Sequence, residues 1–310
     1  MAKPRSRWLD FGVYLAVRLG ACFIQALTDR AAIGFGHLMG WLGYALDKRH
    51  RRVADDNLRH AFPDLDVAER DRLVRRTYRH FAMLLVDIAR LPRKIHRGNW
   101  RRFAQLVGCE PMFEAIESQR PTLIITGHFG NWELAGYGLG LLGYRTFAVA
   151  RRLDNPYLDR LMRRFRELNG QKMLSKNGDA LAIAEVLMRG GALATLADQD
   201  AGARGMFVDF FGRPASTHKG LAVMARRFDA KIFVVGVAKV GEPLRFRIAV
   251  EEVIDPRDFV GADANRAITQ RFTSALEQLV RRHPEQYFWL HRRWKHQPQP
   301  RKARVVAGTN

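Results

Sequence analysis

The sequence predicts an α/β fold with a largely parallel central sheet flanked by helices, preceded by an N-terminal helical segment that associates with a membrane. Three observations predict it. Short apolar runs at residues 122–126, 146–150, 192–197 and 231–238 alternate with helical patterns at 132–142, 156–168, 178–188 and 217–228, which is the rhythm of strand–helix–strand crossovers. Two apolar stretches, residues 8–27 and 31–46, open the chain with basic residues on both outer flanks. Hydrophobic residues make up 47% of the 310, enough to bury a sizeable core.

The elements follow in order. The first apolar stretch comes after Lys3, Arg5 and Arg7 and carries Arg18 near its middle. A spanning helix needs about 20 apolar residues. Arg18 interrupts the run, so a span with a snorkelling arginine and an interfacial anchor both stay open. A buried helical hairpin is the ordinary alternative. A signal peptide fits poorly, because no small-residue cleavage site precedes the second stretch. That stretch runs into Lys48, Arg49, His50, Arg51 and Arg52, a flank suited to an anionic leaflet. Residues 1–60 are therefore assigned as the membrane-associating segment, 61–298 as the α/β domain with a helical lead-in, and 299–310 as a flexible basic tail. Through about residue 118 the pattern is helical. Its best-marked helix starts at Asp66, which has capping-box spacing with Glu69, and Pro92 is expected to close it. Residues 246–253 form a further candidate strand and 264–282 a last amphipathic helix.

Charge narrows the partners. With 52 Lys+Arg against 31 Asp+Glu the formal net charge is +21, which draws a protein to nucleic acid or to an acidic lipid surface. No zinc-finger, homeodomain or RNP-like motif is present, and nucleic-acid binding leaves the apolar N-terminus unexplained. Anionic membrane lipid is the expected partner, and no nucleic acid. The two cysteines, Cys22 and Cys109, have neither the number nor the spacing of a disulfide framework or a zinc site. A zinc ion on His128 and Glu133 would want a third protein ligand, for which His218 is the nearest candidate without a supporting pattern, so no metal is expected.

Residues 122–133, TLIITGHFGNWE, carry the chemistry. A buried strand runs out at Thr126, Gly127 and Gly130 allow a tight turn, and Asn131 is placed to cap the next helix. His128 thus stands at the C-terminal end of a strand, where open α/β sheets bind ligands. Glu133 falls in the first helical turn, whose dipole favours its ionised form. A carboxylate five residues from the histidine can reach the imidazole, fix its tautomer and stabilise the imidazolium. Such a base can deprotonate a sugar or glycerol hydroxyl for attack on a thioester. No nucleophilic Ser or Cys adjoins it, which argues for direct transfer. Asp198 and Gln199 end a strand on the same sheet edge and can order substrate or the loop carrying Phe207, Val208, Phe210 and Phe211. That loop is a candidate acyl groove, with plain core as the default. Ser216, Thr217 and Lys219 are expected to open a helix, as an ordinary cap or an anion site. Trp289 and Trp294 suit either packing or the membrane interface, while His291, Arg292 and Arg293 suit the surface or a lipid headgroup.

His128-Phe-Gly-Asn-Trp-Glu133 resembles the H-x4-D/E motif of the lipid A biosynthesis acyltransferases. Residues 151–156, RRLDNP, resemble the family's Arg-Pro-x-Asp-Asn-Pro segment with Arg152 in place of proline. Residues 198–202, DQDAG, resemble its Asp-x-Asp-x-Gly loop, and residues 284–294, PEQYFWLHRRW, its long C-terminal signature. The resemblance covers nearly the whole chain. It implies acyl transfer from acyl carrier protein, or acyl-CoA as co-substrate, to a lipid A precursor or related glycolipid at the cytoplasmic face of the bacterial inner membrane, without a cofactor. It implies His128 and Glu133 as the catalytic dyad. Arg151 and Arg166 match family arginines suited to the thioester oxyanion or a phosphate, although Arg160, Arg163, Arg164 and Arg166 together also suit a solvated face. Lysophospholipid remains an alternative acceptor.

Overall fold

The structure, a computed structural model, describes residues 6–175 and 178–298; the tail assigned to 299–310 lies outside the described residues. Four helices come first: α1 (Arg7–Ala26), α2 (Asp29–Leu46), α3 (Lys48–Ala61) and α4 (Val67–Lys94). Ser6, Thr28 and Asp47 cap the first three by accepting backbone N–H groups. Asp66 and Glu69 form the expected reciprocal capping box of α4. Pro92 does not end α4, which continues to Lys94, so the proline sits in the last turn. There its missing N–H removes little, and the helix stops three residues later at extended Ile95.

The N-terminal pair is not a buried hairpin. Asp10 is the sole buried residue of α1, whose exposed side includes Trp8, Leu9, Leu15 and Leu19. By length and composition α1 is the one described helix apolar enough to cross a membrane. Helix α2 lies on α4 through Ala32, Gly36 and Gly40. A Cβ on Gly40 would come within 2.6 Å of the Arg79 Cα, so this close approach requires glycine.

The α/β body alternates β1 (Ala104–Val107), α5 (Glu110–Glu117), β2 (Thr122–Thr126), α6 (Trp132–Leu141), β3 (Thr146–Ala150), α7 (Pro156–Glu167), β4 (Lys172–Ser175), α8 (Ala180–Met188) and β5 (Ala192–Leu196). A hairpin of β6 (Met206–Phe210) and β7 (Arg213–Thr217) follows, then α9 (Gly220–Arg227), β8 (Lys231–Gly241), β9 (Arg245–Ile254) and α10 (Ala264–Arg282). The seven-stranded sheet has the order β1-β9-β8-β2-β5-β3-β4. It is parallel except at β8–β9, so the β9 and β1 edge runs opposite to the rest. The mainly parallel sheet expected from the alternation is therefore present, with an antiparallel long hairpin at one side.

β2 is central and buried along its whole length, as a strand covered on both faces should be. Its side chains divide by parity. Leu123 and Ile125 join the larger core with α10, the hairpin and the segment containing Tyr287, Trp289 and Trp294. Ile124 joins a second core beneath α5 and α6. Val208, Phe210 and Phe211 are core, so the aromatic loop is a strand pair and not a groove. Ser216 and Thr217 likewise end β7 and are buried; α9 starts only at Gly220. Trp289 and Trp294 pack inside the larger cluster.

Candidate active site

β2 and β5 are adjacent, parallel and paired Thr126 to Leu196. The Ala197 N–H donates to the Thr126 carbonyl at 2.9 Å, which extends that register one step past both strands. Two residues beyond the last pair stand His128 and Asp198. The His128 backbone N–H donates to Asp198 Oδ2 at 2.9 Å, and its Nδ1 lies 2.8 Å from Oδ1. Because an ionised carboxylate only accepts, Nδ1 carries the proton and Nε2 keeps its lone pair. Nε2 has no hydrogen-bond partner among the described residues, and the side chain is 21% exposed.

The turn that carries His128 is held from several sides. Gly130 has φ +57, and a Cβ there would lie 1.8 Å from the Val237 carbonyl oxygen. Only glycine fits. Asn131 donates its N–H to Val237 O at 2.8 Å and accepts the Leu134 N–H on its side chain, as expected of the α6 cap. The Gly130 N–H donates to Gln286 O, and the Phe288 N–H donates to His128 O at 3.0 Å. From α4, buried His80 reaches the Gly130 carbonyl with Nε2 at 3.3 Å. Burial, with the Lys239 charge adding to it, pushes the His80 pKa down to about 4, so His80 is a neutral donor.

Glu133 does not hydrogen-bond His128 as the spacing predicts. It forms a two-point ion pair with Arg166, Oε2 to Nε at 2.9 Å and Oε1 to Nη2 at 2.5 Å, and also accepts from the Trp132 indole at 3.2 Å. The carboxylate is only 8% exposed, and the paired guanidinium satisfies it better than a single imidazole N–H could. Its influence on His128 is through charge. Burial disfavours the imidazolium, but the Asp198 carboxylate, its hydrogen bond and the Glu133 charge outweigh that and hold the pKa above the ordinary value. Asp198 is fully buried; the facing His128, and to a lesser degree His291, outweigh that burial and keep it ionised, its pKa well below the usual carboxylate range.

The chain matches the family model for bacterial lipid A biosynthesis acyltransferase over residues 2–296. It belongs to that family. It is similar to the lipid A biosynthesis palmitoleoyltransferase of Escherichia coli K12, with 25% identity over 265 residues, covering 85% of this chain and 84% of that one. Similarity to the lipid A biosynthesis lauroyltransferase of the same organism is 27% over 301 residues, 94% and 92% of the two chains. A phosphatidylinositol mannoside acyltransferase of Mycolicibacterium smegmatis is 27% identical over 237 residues, 75% of each.

The acyltransferase gathers some of the residues singled out above and leaves others aside. His128, Asn131, Glu133, Arg166 and Asp198 meet at one end of the sheet. Arg151 makes no hydrogen bond or ion pair with His128 or Asp198 among the described residues: it is exposed, pairs with exposed Asp154 at 2.8 Å, and shares the wall of a small cavity with Arg166. Gln199 is exposed and has no side-chain hydrogen bond among the described residues. The larger omission concerns residues 287–293. His291 stands with its ring centroid 6.5 Å from that of His128. Arg293, expected at the surface, is 1% exposed and donates to Ser216 O and Thr217 Oγ1, both at 2.7 Å, with its charge acting on Asp198. The C-terminal motif was visible in the sequence, but nothing in its spacing told that its arginine points inward.

Proposed function

We propose that the enzyme transfers a fatty acyl chain from an acyl thioester, carried by acyl carrier protein, to a hydroxyl of a lipid A precursor or related glycolipid. His128 is the general base, Asp198 its orienting carboxylate, and Glu133 and Arg166 form a second charged pair beside it. The observation that carries this reading is the His128–Asp198 contact, which leaves Nε2 unprotonated on a partly exposed side chain just past the C-terminal end of β2. The acceptor hydroxyl gives its proton to Nε2 as its oxygen bonds to the thioester carbonyl carbon. The tetrahedral intermediate then expels the thiolate, which recovers the proton from the imidazolium. Arg166 spends two N–H groups on Glu133 and has others for the oxyanion. The reaction takes place at the cytoplasmic membrane face, with α1 as anchor and basic residues against anionic lipid.

A lipid acylation assay tests this. Protein in detergent is given loaded acyl carrier protein, with a tetra-acylated lipid A precursor or a lysophospholipid as acceptor. Transfer to the precursor is expected, with a loss of about 10²–10⁴ in kcat for His128→Ala. Near-normal turnover in folded His128→Ala would overturn the mechanism. Transfer confined to lysophospholipid would keep the mechanism and replace the acceptor.

A further inference from the structure

A cleft of about 630 Å³ opens between the first turns of α3 and the segment that follows His291, a volume within the range of small-molecule sites. Its walls carry Lys48, Arg49 and Arg52 from α3, Arg213 from the hairpin turn, and Arg292 and Lys295. Against these six cations stands one carboxylate, Asp56. None of the six makes an ion pair with a carboxylate among the described residues, although ion pairs are plentiful elsewhere on this surface. Uncompensated cations converging on one concavity repel each other, and an anion relieves that repulsion. Trp294 lines the same cleft, is largely buried, and has an indole N–H without an acceptor among the described residues.

The cleft is joined to the reacting end of the sheet. Buried Asn57 of α3 donates to the Trp289 and His291 carbonyls, both at 2.7 Å, which ties the α3 wall of the cleft to the segment carrying Arg292 and Trp294. Arg292 directly follows His291, whose ring faces that of His128. Apolar side chains are exposed on the neighbouring helix: Trp41 and Leu46 of α2, the latter two residues before the cleft-lining Lys48. Apolar surface beside a basic hollow, which leads on to a base, suits a lipid more than a folded acidic protein.

We propose that this cleft seats a phosphate group on the headgroup of the acceptor lipid and so presents the lipid's hydroxyl to His128. The inference rests on the acyl-transfer reading above and adds what the acceptor must carry and where it is held. Arginine forks on α3 and at Arg292 match phosphate oxygens, with Lys48 and Lys295 as point charges.

Binding is measured on the full chain carrying His128→Ala, so that turnover plays no part. The probes are a tetra-acylated lipid A precursor and its phosphatase-treated form in detergent micelles, with inorganic phosphate as competitor. Two variants are added to that background, Arg49→Gln with Arg52→Gln, and Arg292→Gln with Lys295→Gln; five of the six cations are exposed, including these four, so the fold should survive. Each pair is expected to weaken the phosphorylated lipid roughly tenfold or more and to leave the phosphatase-treated lipid unchanged. On the active background the same pairs should raise KM and leave kcat nearly unaltered. Unchanged affinity, or equal weakening of both lipids, overturns the proposal. Weakened binding of acyl carrier protein alone also overturns it and makes the cleft the donor's dock. Competition by millimolar phosphate with no lipid preference reduces it to a free-anion site. A failure of acyl transfer in the parent enzyme is read separately, since these affinities need no chemistry.

Discussion

At the scale of single residues, the proposed mechanism divides labour between two carboxylates. Asp198 touches the imidazole and sets its tautomer, while Glu133 acts from a distance and is itself held by Arg166. Their removal should therefore differ. A base must be unprotonated, and the His128 pKa is raised, so kcat/KM should climb with pH through a midpoint above the ordinary imidazole value of about 6.5. Asp198→Asn removes the anion that favours the imidazolium, so the midpoint should fall, and kcat should drop by about 10²–10⁴. Glu133→Gln removes the weaker of the two charges and should move the midpoint down less. Steady-state pH profiles of the three proteins decide it; an Asp198→Asn midpoint equal to or above the parent's would show that the contact does not govern the base. The histidine and its strand-end position were legible from the sequence. The identity of the hydrogen-bonding carboxylate was not, because five residues along the chain is close in sequence while seventy residues across a parallel register is closer in space.

At the scale of elements the turn that carries His128 is the critical joint. It is gripped by β8 through Val237, by α4 through His80 and by the segment after α10 through Gln286 and Phe288. Gly130→Ala should push a methyl into the Val237 carbonyl at a positive φ, costing about 2 kcal/mol or more and misplacing His128. Denaturant unfolding together with kcat checks this: both should fall, and a variant of parental stability and activity would mean the turn moves freely. The strands and helices of the central body were legible because buried strands read as unbroken apolar runs bounded by turns. β1 and β4 were not, since each is a four-residue edge strand, half-buried, with too few residues to show a period. The hairpin of β6 and β7 hid for another reason. Its two turn residues, Phe211 and Gly212, both have positive φ, where asparagine or aspartate usually precedes the glycine. Phe211 tolerates that conformation with its ring buried and its N–H donated to Glu277 at 2.6 Å. Tertiary packing outweighed local preference, which no local pattern announces.

At the scale of the molecule, a packed α/β body carries an apolar helix on its outside. Helix α1 touches α4 and α7 and is pinned near its start by Asn155, whose side-chain amide donates to the Asp10 carbonyl at 2.9 Å. Most of its leucines face away from the protein. Leu15→Glu with Leu19→Glu should leave the fold intact and weaken flotation with lipid vesicles at least tenfold, since each side chain otherwise gains about 1.5–3 kcal/mol from the apolar phase. Undiminished flotation would shift the membrane contact to the basic surface alone. The N-terminal segment was readable as membrane-seeking because hydropathy and flanking charge are local properties. The assembly of the basic cleft was not, because its cations come from three parts of the chain.

The backing of the His128 turn by residues 286–288 also has a bearing on synthesis. His128 and Asp198 leave the ribosome early and can pair as soon as β2 and β5 meet, but the backbone donors and acceptors behind the turn emerge close to ninety residues after Asp198. A nascent chain therefore holds its base and carboxylate without the strut that fixes them. Activity should switch on late in translation, and a chain stopped at residue 283 should bind membrane through α1 yet transfer no acyl group.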